Sequence, residues 1–224
     1  MSSPIRVLVV DDDPLARETY RGFLGSHPDF ELVGEAQDGL EGVEAYSRLS
    51  PDIVLMDLQM PGKSGVEATR EICLRWPGAC VVALTTFGSN EYIVAALRAG
   101  AAGYLLKDAT AKSLASSIGQ ALAGEMPLAS SVRRELVSAV IAGRDAIPPA
   151  LPDPGLTDRE KELLAWLARG LTNHQIGSRM YVSEGSVKQY LSRINDKLGV
   201  TSRTQVLVKA IQLGLIDPRQ MDPL

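Results

Sequence analysis

Cysteine is scarce in this 224-residue chain, which carries only Cys73 and Cys80. A lone pair without metal-ligand spacing argues against both a disulfide framework and a zinc cluster, so reduced, partly buried thiols are expected. Histidine is as rare, and neither His27 nor His174 has a companion metal ligand, which predicts two ordinary surface residues. No apolar run approaches the roughly 18 residues that a membrane span needs. The opening MSSPIRVLVVDDD has too short an apolar run for a signal peptide and meets acid at once. A cytoplasmic protein with no membrane contact is expected. A strong charge of one sign is also missing, since the net charge is only −4. The balance is uneven along the chain, however. Residues 1–154 carry 13 Lys+Arg against 20 Asp+Glu, and residues 155–224 carry 10 against 7. The C-terminal part is therefore the better partner for a polyanion, although so small an excess does not by itself identify one.

What is present first is alternation. From residue 5 to about 124, apolar β-rich runs and amphipathic stretches follow one another five times. The pattern predicts strands near 5–10, 31–36, 52–57, 79–84 and 102–106, and helices near 14–25, 38–49, 64–75, 89–99 and 110–123. That is the signature of a doubly wound α/β fold with a five-stranded parallel sheet. PLASSVRRELVSAVIAG then reads as one more short helix. Pro148, Pro149, Pro152 and Pro154 follow in a stretch that excludes helix and favours an extended connector. The boundaries expected are 1–124 for the first domain, 125–155 for the linker helix and proline-rich linker, and 156–224 for the second. The second domain reads as all-α, with four helices near 157–169, 172–179, 183–198 and 202–213. Thr157 with Glu160, Thr172 with Gln175 and Ser202 with Gln205 have capping-box spacing. The short turn around Tyr181 and Val182 joins two of these helices as in a helix-turn-helix.

Five polar residues fall at the ends of the predicted strands. Asp11 and Asp12 follow IRVLVV, Asp57 ends DIVLMD, Thr85 follows CVVAL and Lys107 follows GYLL. In a parallel sheet the carboxyl ends of the strands line one edge, where such folds build their sites. Three carboxylates, a hydroxyl and an ammonium gathered there suit a divalent cation and a phosphoryl group. Asp57 is the candidate nucleophile, since a carboxylate can attack phosphorus once charge repulsion is offset. Mg²⁺ (or Mn²⁺) fits a few hard oxygen ligands on a rigid scaffold. Asp12 and Asp57 are the expected direct ligands, with Asp11 acting through water and Gln59 giving its backbone carbonyl. Lys107 would offset phosphoryl charge and Thr85 would hydrogen-bond a phosphoryl oxygen. Three adjacent acids can also be a solvated turn, and Asp13 before Pro14 suits a helix cap.

These motifs, VVDDDP, DIVLMDLQMPG, ALTTF and GYLLKD, resemble the receiver domain of bacterial response regulators in order and spacing. The resemblance covers residues 5–124 and implies a flavodoxin-like receiver whose Asp57 accepts a phosphoryl group from a sensor histidine kinase. It also implies a switch in which Thr85 turns toward the phosphoryl group and Tyr104 rotates inward, altering the face made by the fourth helix and fifth strand. Thr86 stands where family members often carry a smaller residue, which implies restricted access for water or donor.

LTDREKELLAWLARGLTNHQIGSRMYVSEGSVKQYLSRINDKLGV is similar to the LuxR-type helix-turn-helix, placing the chain with NarL/FixJ-type regulators. That implies double-stranded DNA as partner. Val187, Tyr190, Leu191, Ile194 and Leu198 have helical spacing for a buried stripe, leaving Lys188, Gln189, Ser192 and Asn195 outward with Arg193 at the margin. Lys188 and Gln189 are the base-contact candidates, and Arg179, Ser186, Arg193, Lys197 and Arg203 the phosphate-contact candidates. Tyr190 stands where the family often has His, and Ser192 where some members have a basic residue, so no known target sequence transfers. The last helix is apolar on two flanks: Val206, Ala210 and Leu213, and opposite them Leu207 and Ile211. One flank should face the core, and the resemblance implies that Leu207 and Ile211 pair in a homodimer on activation. A DNA-binding regulator indifferent to phosphorylation is one rival reading. A Mg²⁺-dependent phosphatase is another, but it needs a second acid two residues after Asp57, where this chain has Gln59. A flavodoxin-like cofactor binder is disfavoured by the acidic first turn, which would repel a flavin phosphate.

Overall fold

The computed structural model describes residues 3–85, 90–108, 110–127 and 154–216. Five strands, β1 (Ile5–Val10), β2 (Phe30–Ala36), β3 (Ile53–Asp57), β4 (Val81–Thr85) and β5 (Gly103–Leu106), form one parallel sheet in the order β2-β1-β3-β4-β5. Helices α1 (Pro14–Ser26), α2 (Gly39–Leu49), α3 (Gly65–Arg75), α4 (Asn90–Ala99) and α5 (Ala111–Leu122) connect and follow the strands. β1 and β3 leave the sheet toward opposite edges of the strand order, so their carboxyl ends flank a crevice.

The period-2 alternation of the strands divides the core in two. Val7, Val9, Ile53, Leu55, Val82 and Leu84 pack with Tyr20 and Leu24 of α1 and with Leu114 and Ile118 of α5. Their neighbours Leu8, Val10, Val54, Met56 and Val81 pack with Val43 of α2 and with Ala68 and Ile72 of α3. The central strands are buried on both faces, which is why they read as unbroken apolar runs. Asp13 caps α1 through Leu15 N–H, and Asp38 caps α2 through the N–H groups of Leu40 and Glu41. Glu41 reaches the Gln37 N–H, one residue short of a complete capping box. At Gly65 an added Cβ would lie 1.7 Å from the Asp57 carbonyl oxygen, so only glycine lets α3 start directly beneath the end of β3.

The second domain contains α6 (Asp158–Ala168), α7 (Asn173–Met180), α8 (Glu184–Leu198) and α9 (Arg203–Gln212). Full capping boxes start α6 (Thr157 with Glu160) and α7 (Thr172 with Gln175). Ser202 caps α9 through Gln205 N–H, but the Gln205 amide turns to Thr201 and to the first domain instead of closing a box. Gly199 at φ 64° ends α8 in the left-handed region that glycine tolerates. Tyr181 takes the same region, φ 56°, in the turn between α7 and α8, and is 94% exposed.

The two domains are packed together. Ile93, Ala96, Leu97 and Tyr104 share a single buried cluster with Leu207, Val208 and Ile211 of α9. The Thr204 hydroxyl donates to the Ala101 carbonyl, and Gln205 Nε2 donates to the Arg98 carbonyl at 3.2 Å. With its amide oxygen facing α4, Gln212 accepts from both Arg98 Nη2 (2.7 Å) and Nε (3.2 Å). Both apolar flanks of the last helix are therefore covered, where one was expected to stay outward: Val206, Leu207, Ala210 and Ile211 are all fully buried. Beyond α5, the Pro127 carbonyl accepts the Tyr104 N–H at 3.0 Å on the outer side of β5. The expected linker helix and Pro148, Pro149 and Pro152 of the proline cluster lie outside the described residues.

Candidate functional site

The acidic pocket forms because three strands end together. Asp11 leaves β1 with its N–H bonded to the Ala36 carbonyl, and Asp57 is the last residue of β3. Asp11 and Asp57 are buried and Asp12 is exposed, and each offers a carboxylate oxygen within 4.8 Å of the others. Lys107 Nζ lies 2.7 Å from Asp11 Oδ2 and 3.0 Å from Asp57 Oδ2. Its own N–H donates to the Thr85 carbonyl at 2.7 Å, which aligns the ends of β4 and β5. Asp57 Oδ1 accepts the Gln59 N–H at 3.2 Å, and Asp11 Oδ1 accepts the Asp13 N–H at 3.0 Å. Arg17 was not anticipated: its Nη1 donates to the Asp11 carbonyl at 2.6 Å, pinning the first turn from α1. A basic residue one turn into α1 is too common a feature to signal that role.

Burial is the largest influence on Asp57 and raises its pKa; the hydrogen bond and charge of Lys107 and the Gln59 N–H oppose it only partly. Lys107 is itself held above its ordinary pKa: burial pulls it down, but its bonds to Asp11 and Asp57 and their charges outweigh that. Burial, then the charges of Asp11 and Asp57, push the nearby Tyr20 phenol upward. Three carboxylates share this pocket with a single ammonium, so its formal charge is negative. One ammonium between three acids does not balance it, and a divalent cation on the same oxygens would. The donor set, hard oxygens only, fits Mg²⁺.

The other expected residues fall in several places. Tyr104, expected to swing inward on activation, is already fully buried beneath α4 and α9. Thr86 lies outside the described residues. In the second domain, Val187, Leu191, Ile194 and Leu198 are buried as their spacing predicts, and Tyr190 is partly so. Lys188, Gln189, Ser192 and Arg193 of α8 are exposed, with Lys188 paired to Glu184 at 3.1 Å. Ser186 shares a hydrogen bond with the α8 cap, Ser183. Lys188, Leu191, Ser192 and Asn195 nevertheless line an interdomain cleft of about 530 Å³, facing Cys80 and Gly124 of the first domain.

Two expected phosphate contacts are instead engaged within the domain. Lys197 Nζ bonds Glu160 Oε2 at 2.7 Å and the Gly155 carbonyl at 3.0 Å. Arg203 is half-buried and donates to the Asn173 side chain and, at 2.5 Å, to the Leu171 carbonyl. Burial brings its pKa down to about 10, with Glu125 opposing. These partners lie 30 to 42 residues away in sequence, out of reach of local pattern reading.

Comparison with known proteins bears on this geometry. Residues 7–119 match the response regulator receiver domain family, and residues 154–210 match the luxR family of bacterial regulatory proteins. The chain belongs to both, and is a two-component response regulator. It is 39% identical to the transcriptional regulatory protein LiaR of Bacillus subtilis over 213 residues, covering 95% of this chain and all of that one. It is 35% identical to the DNA-binding transcriptional activator DevR/DosR of Mycobacterium tuberculosis, covering 93% and 95% of the two chains. Among solved structures, ChrA, a response regulator of a heme-sensing two-component system, matches with TM-score 0.52 and 36% identity, covering 96% and 100%. This response regulator thus joins a receiver to a LuxR-type DNA-binding domain. No described helix is long and apolar enough to cross a membrane.

Proposed function

We propose that Asp57 is the phosphoacceptor of this regulator and that its modification frees the DNA-reading helix from the receiver. The observation carrying this is the convergence of Asp11, Asp12 and Asp57 on one point, with Lys107 bridging two of them. Asp11, Asp12 and Asp57, with the Gln59 carbonyl, would hold Mg²⁺ or Mn²⁺, which supplies the charge that lets an anionic donor approach. An Asp57 oxygen attacks the phosphorus of a histidine kinase's phosphohistidine. The P–N bond breaks, and the imidazole departs with its electron pair and takes up a proton. Lys107 stabilises the incoming phosphoryl oxygens, and the Thr85 hydroxyl hydrogen-bonds one of them. In the unmodified chain Lys188 and Ser192 face the receiver, and Leu207 and Ile211 lie against α4. The same surfaces cannot then enter a major groove or pair with a second copy. Release of α9 exposes both, so masking and dimerisation are one event. Residues 1–124 act as receiver and 156–224 as reader, in the cytoplasm. Incubation with labelled acetyl phosphate and Mg²⁺ tests the assignment. A label lost in Asp57→Asn is expected, and a persistent one would move the nucleophile elsewhere.

A further inference from the structure

We infer that Arg169 and Arg179, both stacked on Trp166, form a grip for the DNA backbone that stays open while the reading helix is masked. The Arg169 guanidinium carbon lies 4.9 Å from the Trp166 ring centroid, and that of Arg179 lies 5.4 Å from it. The two come from different elements, the end of α6 and the last turn of α7, and converge on one indole. Among the described residues neither has a carboxylate within ion-pairing distance, although the domain offers Glu160, Glu162 and Glu184, which pair with Lys197, Arg159 and Lys188. Two guanidiniums gathered and left without an anion repel each other. Stacking on the indole offsets part of that cost and fixes the planes of their N–H forks. A planar fork held in place is the arrangement that takes a phosphate oxygen pair.

Position supports the same ligand. Arg179 lies four residues before Ser183, the cap of α8, and is exposed beside the fully exposed Tyr181. In helix-turn-helix proteins the first helix crosses the backbone where the second enters the groove. Among the described residues, neither arginine nor Trp166 lines the interdomain cleft of about 530 Å³ that Lys188, Ser192 and Asn195 line. The unmodified protein therefore keeps a sequence-independent foothold on duplex DNA while Lys188, Ser192 and Asn195 of its reading helix face the receiver. Phosphorylation then adds sequence reading to a protein already on DNA.

The test uses the full-length, unphosphorylated chain carrying Trp76→Phe, so that Trp166 is its sole tryptophan. Binding of a short duplex of arbitrary sequence is followed by DNA anisotropy and Trp166 emission between about 50 and 200 mM salt. Measurable binding with a change in Trp166 emission is expected. Arg169→Gln and Arg179→Gln should each lower the log–log salt slope by about 0.9, equivalent to roughly a 3.5-fold smaller loss of affinity over that range. Wild-type slopes in both variants, binding with unchanged emission, or no binding until the protein is activated would each overturn the inference.

Discussion

The Thr204 hydroxyl donates to the carbonyl of Ala101, joining the last helix of the DNA-binding domain to the loop before β5 across 103 residues of chain. Both ends are fully buried. Ala101 leads directly into the strand that carries Tyr104, so the contact lies between the switch strand and the helix expected to dimerise.

Replacing Thr204 by Val keeps the volume and removes the donor. The Ala101 carbonyl is then buried without this partner, which costs about 1–2 kcal/mol. That cost falls on the docked state alone, so the unphosphorylated variant should bind its operator roughly tenfold more tightly than wild type. Equal affinities in an electrophoretic or anisotropy titration would show that this contact does not hold the domains together.

Lys107→Ala leaves Asp11 and Asp57 facing each other without a counter-charge. In the presence of EDTA the variant should be less stable than wild type by roughly 2–4 kcal/mol in urea denaturation. Added Mg²⁺ should restore more stability to the variant than to wild type, because it no longer competes with the ammonium. Identical Mg²⁺ responses would argue against a cation on these oxygens.

Glu160 is buried, and its pKa sits below the ordinary carboxylate value. Burial raises it, but the Lys197 hydrogen bond, the Thr157 N–H and the Thr157 hydroxyl together outweigh that. A depressed folded-state pKa means stability that is present above the unfolded value, near 4.5, and is lost as pH falls through the folded one. Glu160→Gln should therefore cost about 2–4 kcal/mol at pH 7, and the gap to wild type should close below about pH 4. Parallel stability curves from pH 7 to pH 3 would contradict the pairing.

Burial pushes the Cys73 thiol up to about 11 and that of Cys80 up to about 12. Thiolate is then scarce at neutral pH, and both should react with a thiol reagent roughly a hundredfold more slowly than after unfolding in urea. Fast native labelling would mean that the β4 end of the sheet opens readily.

Much of this architecture is legible in the sequence, for identifiable reasons. Each strand is a short apolar run closed by a polar residue, and each observed strand lies within two residues of its expected bounds. Thr157, Thr172 and Ser202 mark helix starts through side-chain chemistry that operates within three residues. Asp11, Asp12, Asp57 and Lys107 come together because parallel topology converts strand ends into neighbours, and Thr85 ends the adjacent strand. What the pattern does not reveal is long-range pairing. Lys197 resembles any solvent-facing lysine until Glu160, 37 residues earlier, is folded beside it. The second apolar flank of α9 is visible as a stripe. That it meets α4 depends on a docking geometry that no periodicity encodes.

Hydrogen exchange across α9, with and without beryllofluoride and Mg²⁺, tests the central claim most directly. If the phosphoryl site controls docking, the amides of 203–212 should lose protection on activation, and Asp57→Asn should abolish the change. Unaltered protection in a protein with beryllofluoride demonstrably bound would contradict it.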